Sequence, residues 1–272
     1  MSLIGTAASA LTSQTKSLDT IANNIANLDT AGYEATSTTF ADTLTQVFAQ
    51  TPAQTDLADR QTPIGLWLGT GVYAQPTQRS FAQGAYKQTA NPLDMAIDGD
   101  GFFTVRMADG KTGYTRAGDF VASGAGNGRF YLATPAGQYV LGTDGQPIDL
   151  TDMRLASVAV APDGTVTADS LAGKPTVVGK LALAYVAHPT SALRSMGADV
   201  YELAPGYVAT TNVAGANPSL FGLVQNKTLE MSNVNLTDAM TNMIQTQQNF
   251  DMSAQAVDIA DKMMGLVNSL GQ

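Results

Sequence analysis

Apolar residues recur every seven positions at the start of the chain, at Ile4, Leu11, Leu18 and Ile25. Three positions further on stand Ala7, Gln14, Ile21 and Leu28, and all but Gln14 are apolar, which makes an a/d heptad row over about four heptads. The spacing predicts a helix over 2–28, roughly 40 Å long at the α-helical rise. Gly32, after "LDTA", supplies a residue able to end it in a left-handed conformation. The far end repeats the pattern at Leu236, Met243, Phe250, Val257 and Met264. Met240 and Ala254 join that row, and Ile244, Ile259, Met263, Val267 and Leu270 widen the apolar face. Asn235, followed by an acidic first turn at Asp238, suits an N-cap, so a second helix is expected over 236–270, roughly 50 Å long.

The polar positions of the first helix are unusual. Only Lys16, Asp19 and Asp29 are charged among the first 30 residues, whereas 13 are Ser, Thr, Asn or Gln. A face in bulk water ordinarily carries Lys, Glu and Arg. Uncharged polar groups suit a face crowded by other helices, where they hydrogen-bond without the cost of desolvating a charge. A hairpin of the two helices packed on its own domain is the alternative that the heptads alone leave open. Asn23, Asn24 and Asn27 fall near the helix end, where their amides are expected to bridge neighbours and cap exposed carbonyls.

The interior of the chain changes character twice. Residues 34–76, rich in Gln, Thr, Ala and Pro, read as an extended connector ordered against a partner, with Trp67 either plugging it onto its own domain or anchoring that partner. Residues 77–222 read as a central, mostly antiparallel β domain. Five Asp-Gly pairs, at Asp98, Asp100, Asp109, Asp144 and Asp163, punctuate runs such as "FFTVRM" and "LASVAVA", and Asp-Gly between apolar runs signals a hairpin. Residues 223–272 form a return segment and the last helix. The expected fold class is α+β: long N- and C-terminal helices (the first within 1–33) paired as a coiled-coil-like domain, an extended connector and a β-rich middle.

Composition narrows the chemistry. There is no cysteine, so disulfides, thiolate–zinc sites and thiol catalysis are excluded. His188 is the single histidine, which leaves no multi-histidine metal site in one chain, and its place before Pro189 suits a structural or surface role. A formal charge of −9 opposes binding to phosphate backbones, so no nucleic acid is expected. No apolar run is long enough to insert in a membrane, and the N-terminus lacks the basic and apolar regions of a cleaved signal. "DGDG" at 98–101 lacks the further oxygen ligands of a calcium loop, and "GKT" at 110–112 and "GAGNG" at 124–128 lack glycines their nucleotide motifs require. No cofactor, metal or catalytic residue is assigned.

The block "ANNIANLDTAGYEA" resembles the signature of the flagellar basal-body rod and hook family, through Ala22, Asn23, Asn24, Ile25, Ala26, Asn27, Thr30, Gly32 and Tyr33. "NPLDMAIDGDGFFTV" with "YTRAGDF" is similar to the family's central domain, and Leu229–Met264 to its C-terminal helix. The block Gly65–Thr89 and the chain length look most like the family's distal-rod subunits, with proximal-rod subunits next. One residue departs from the pattern: the position after the aromatic is usually basic in that family and here is Glu34. The resemblance implies a non-enzymatic subunit of a helical homo-oligomeric tube, a drive shaft whose terminal helices form the inner layers. It also implies contacts with other rod subunits, hook proteins, the surrounding bushing rings and the flagellar export apparatus, and a periplasmic place reached without a cleaved signal. The expected subunit interface comprises Ile4, Leu11, Leu18, Ile21, Asn23, Asn24, Ile25, Asn27 and Leu28 on the first helix. On the second it comprises Leu236, Met240, Met243, Ile244, Phe250, Val257 and Met264. A secreted β-domain enzyme or an adhesin are the readings from other classes.

Overall fold

A computed structural model describes residues 2–43, 45–48, 66–69, 71–75, 77–124, 126, 128–213 and 221–270. The chain divides into two compact units. One, here the helical unit, comprises Met1–Ile25, Thr36–Gln78 and Asn235–Gln272; the other, the β unit, comprises Ala26–Ala35 and Arg79–Val234.

In the helical unit the heptad rows become helices Ser2–Ala26 and Leu236–Leu270, which are in contact. The second starts where the cap chemistry placed it. Asn235 Oδ1 accepts the backbone N–H of Thr237 at 3.0 Å and of Asp238 at 3.4 Å, satisfying donors that the first turn leaves orphaned. The first helix stops at Ala26, before the sequence-based limit of 28. Gly32 does adopt φ +68°, but as part of the β unit: a Cβ there would meet Ala117 Cα at 2.4 Å, so close approach of two backbones is what demands glycine. Within the connector, Phe40–Asp42 pairs antiparallel with Val72–Ala74, and Thr45–Phe48 with Leu66–Gly69. This is a two-stranded arm, more ordered than a plain extended connector. The side chain of Trp67 and residues 49–65 lie outside the described residues.

The β unit is built on an antiparallel sheet, nine-stranded among the described residues. Phe102–Arg106 is its central strand, pairing with Thr112–Thr115, Tyr139–Val140 and Ala182–Val186. Because successive side chains of a strand point to opposite faces, Phe102 and Phe103 head two separate apolar clusters. Phe103 packs edge-on against Phe120, centroids 5.1 Å apart, together with Met95, Leu132 and Leu183. Phe102 packs against Phe81 and Tyr201 with Val186 and Leu193. A strand covered on both faces explains why "FFTV" is a continuous apolar run instead of an alternating one. Leu223–Asn226 then pairs with Met95–Asp98, and Thr228–Glu230 with Tyr86–Gln88, so the return segment is itself strand.

Asp109-Gly110 and Asp163-Gly164 turn between adjacent antiparallel strands as expected, the first closing Phe102–Arg106 onto Thr112–Thr115. The "DGDG" of 98–101 does not form a hairpin. The strand before it pairs with Leu223–Asn226 and the strand after it belongs to the large sheet. Gly99 and Gly101 have φ +112° and +142°, a region closed to side-chain-bearing residues, and both aim their carbonyls at Arg116.

Candidate functional site

The uncharged polar stripe of the first helix has an occupant within its own unit. Ser9, Ser13, Thr20 and Asn24 follow one another at intervals of four, seven and four, which puts them on one face. That face carries the inner edge of the arm. Val72 N–H donates to Ser9 Oγ at 3.2 Å, and Ser13 Oγ donates to Val72 O at 3.2 Å. Thr38 Oγ1 donates to Thr20 Oγ1 at 2.9 Å. Asn24 clasps the backbone of Thr36 from both sides: its Nδ2 donates to Thr36 O at 2.7 Å and its Oδ1 accepts Thr36 N–H at 2.9 Å. Ser13 and Thr20 are buried as a result. Asn24 thus forms an intramolecular bond pair with Thr36, because an Asn side chain presents a donor and an acceptor at the spacing of a peptide group.

Asn24→Leu is expected to lose that pair at a cost of about 1–3 kcal/mol to the helical unit. Amide hydrogen exchange should quicken at Thr36 while the β unit keeps its protection. Unchanged exchange at Thr36 would contradict the assignment.

Apolar rows lie on other faces of both helices. On the first helix Leu11, Leu18, Ile21, Ile25 and Leu28 are half-buried; Asn23 is exposed and Asn27 half-buried; the side chain of Ile4 lies outside the described residues. On the last helix Met243, Phe250 and Val257 lie on a half-covered stripe with Thr246, Ser253 and Ala260 between them. Leu236 and Met264 are more exposed. A second row is open to solvent: Met240 51 %, Ile244 56 %, Met252 60 %, Ile259 58 %, Met263 64 % and Leu266 67 %. These methionine and branched aliphatic side chains form an exposed apolar row on one helix. Sequence reasoning found Met240, Ile244, Ile259 and Met263 of this row and missed Met252 and Leu266, as well as Ser9, Ser13 and Thr20 on the first helix. The four- and seven-residue spacing of the small polar residues was the available signal.

The β unit holds a buried charge cluster that the heptads did not announce. Arg116 is 4 % exposed. Its Nη1 lies 3.8 Å from Glu34 Oε1 and 3.4 Å from Glu230 Oε1, and its remaining N–H groups donate to the carbonyls of Gly99, Gly101 and Phe81. The guanidinium also stacks on the ring of Phe102, 5.3 Å from its centroid. Gly84 N–H donates to Glu230 Oε1 at 2.9 Å. Asn233 joins the cluster: its Nδ2 shares two N–H groups among Glu34 Oε2, at 2.7 Å, and the carbonyls of Ser80 and Ala82, while its Oδ1 accepts Ala35 N–H. Gly32 N–H donates to Glu230 O at 2.8 Å. The segments leaving the first helix and entering the last are therefore tied to one guanidinium and one carboxamide. Burial, opposed by Arg116 and reinforced by Glu230, pushes the Glu34 carboxyl up to about 8. Burial likewise raises Glu230, against the pull of Arg116.

Among the described residues no group of three or more His, Asp or Glu side chains is placed to hold a metal ion, and no helix is long and apolar enough to cross a membrane. His188 is exposed, at φ +54°, and its carbonyl accepts the N–H of Ser191 and Ala192.

Long paired terminal helices with open apolar rows, flanking an antiparallel β body, define a structural subunit. Residues 4–33 match the flagella basal body rod protein family, residues 96–168 the D1 domain of flagellar hook proteins FlgE/F/G, and residues 225–270 the C-terminal region of flagellar basal body rod FlgEFG proteins. The chain is 34% identical to the flagellar basal-body rod protein FlgG of Bacillus subtilis (strain 168), covering 92% of this chain and 91% of the relative. It is 31% identical to FlgG of Agrobacterium fabrum, covering 98% of each. It is also 30% identical to the flagellar hook-basal body complex protein FlhP of Bacillus subtilis, covering 97% of each. The chain belongs to the FlgE/F/G family of flagellar basal-body rod proteins, structural and non-enzymatic.

Proposed function

We propose that this chain is the distal-rod subunit of the flagellum, polymerising into a helical tube that carries motor torque to the hook and encloses the export channel. The observation that carries this reading is the open apolar row Met240–Ile244–Met252–Ile259–Met263–Leu266, a surface that copies of the same chain can cover. Heterologous contacts that do not close into a ring generate a filament, and repeating them around a lattice shares load among many weak interfaces. The half-buried rows at Leu11, Leu18, Ile21, Ile25 and Leu28, and at Met243, Phe250 and Val257, supply the helix-to-helix seams, with Leu236, Met264, Asn23 and Asn27 at their ends. Other rod subunits, hook proteins and the surrounding rings meet the tube's ends and outer face. Export proceeds through the flagellar apparatus without cleavage of a signal, so the subunit assembles in the periplasm.

The test is a charge on the open row. Met240→Asp combined with Ile244→Asp is expected to abolish rods in electron micrographs and to abolish motility, because assembly would bury two carboxylates among apolar groups. Thermal unfolding of the purified β unit signal should stay within about 0.5 kcal/mol of the parent, as for other surface substitutions. Normal rods from the double variant would overturn the proposal.

A further inference from the structure

The Arg116 cluster contains two carboxylates for one adjoining guanidinium. Glu34 and Glu230 are 2 % and 3 % exposed, so bulk water supplies neither with counter-charge. Of the two, only Glu230 receives a hydrogen bond from Arg116; the shortest bond to Glu34 comes from the neutral amide of Asn233. Glu230 Oε2 is buried and has no hydrogen-bond partner among the described residues. Arg79 pulls Glu34 toward its ionised form, but less than burial pushes it the other way, and it makes no hydrogen bond to either carboxylate. Arg79 directs its guanidinium to Tyr201 Oη and Ser195 Oγ, at 3.4 and 3.2 Å. Tyr86, on the Glu230 side, is bonded to the carbonyl of Ile97 and faces Asp98, and Asp199 adds a further negative charge beyond Tyr201. Like charges confined in a dry site cannot both ionise cheaply.

We propose that Glu34 and Glu230 together retain one proton at neutral pH, making the Glu34–Arg116–Glu230–Asn233 cluster a proton-held clasp that loosens as the surroundings become alkaline. Glu34 carries the proton, since it lacks the direct Arg116 hydrogen bond that stabilises Glu230 as the anion. The clasp closes on residues 32–35 and 230–234, the roots of the two terminal helices, through Gly32 N–H, Ala35 N–H and the Asn233 amide. Deprotonation places a second negative charge in the cluster and weakens those attachments first, while the sheet core around Phe103 is untouched. The direction in pH follows from linkage. A carboxyl that titrates at about 8 in the folded chain against an ordinary 4.5 keeps its proton through that interval while the unfolded chain has released it. Stability is therefore greatest below the interval and declines as pH rises through it.

The chain has three glutamates in all, Glu34, Glu202 and Glu230, so selective 13C labelling of glutamate side-chain carboxyls gives a readable titration. Glu202, paired with Lys111 at the surface, serves as the internal control. In the full chain, kept dilute and unassembled, one resonance is expected to stay protonated by about tenfold over its ionised form at pH 7 and to move only above it. Glu34→Gln should delete that late titration and flatten the fall in melting temperature between about pH 5 and about pH 8. Glu230→Gln should bring the Glu34 titration down toward the ordinary range, because the like charge is gone. If all three resonances of the unsubstituted chain titrate below about pH 6, the proposal is wrong, whether or not either variant folds.

Discussion

Arg116→Ala is expected to destabilise the β unit by about 3–5 kcal/mol, the range seen when one partner of a buried ion pair is deleted. The loss has two parts. The Glu230 carboxylate is left without its counter-charge in a site closed to water, and the carbonyls of Gly99, Gly101 and Phe81 are left without their donor. Denaturant titration of the full chain, followed by a β-unit signal, measures it as a lower midpoint. Adding Glu230→Gln to Arg116→Ala should recover part of the loss, since the stranded carboxylate is then neutral; the double-mutant cycle isolates that coupling. A loss under about 1 kcal/mol would mean the cluster is wetter than its 2–4 % exposures indicate.

Gly118→Ala is expected to be comparably damaging, at about 3 kcal/mol or more, through a clash and not through charge. A Cβ on Gly118 would sit 1.6 Å from Met95 O, against the roughly 3 Å or more of any real contact. Neither backbone has room to withdraw. Met95 N–H donates to Gly118 O at 3.0 Å, and Met95 is fully buried in a strand paired with Leu223–Asn226. Gly84 makes a similar approach, its Cβ position lying 2.0 Å from Met231 O. Circular dichroism and calorimetry of the Gly118→Ala chain should show a melting temperature far below the parent, with the terminal helices changed less than the sheet. A parent-like melting curve would show that the two backbones separate without penalty.

The helices were legible because their signals are local. A heptad row and an Asn cap depend on residues within one turn of each other, and Leu236–Leu270 starts and stops where those signals put it. Strand identity was legible for the same reason, in β-branched and aromatic runs between turns. Pairing was not. "DGDG" has hairpin chemistry, yet the strand before it pairs with one more than a hundred residues away, and no local pattern records that. The cluster illustrates the limit most sharply. Glu34 stood out as a departure from the family pattern, but Arg116, Glu230 and Asn233 lie far along the chain, and only the folded sheet brings them together. The uncharged polarity was read as crowding by other helices; Ser9, Ser13 and Thr20 instead meet the chain's own arm, a strand-to-helix contact that helical periodicity cannot name.

That arm contact bears on how a rotating shaft survives shear. Greasy surfaces slide over one another at little cost because each displaced methyl finds another. The pegs at Ser9, Ser13, Thr20 and Asn24 engage particular atoms of Val72, Thr38 and Thr36, so the arm has one register on its helix and slipping by a residue breaks the whole set together. Helix and arm then strain as a single ribbed spar, stiff along its length, while compliance is left to the oily joints beside it.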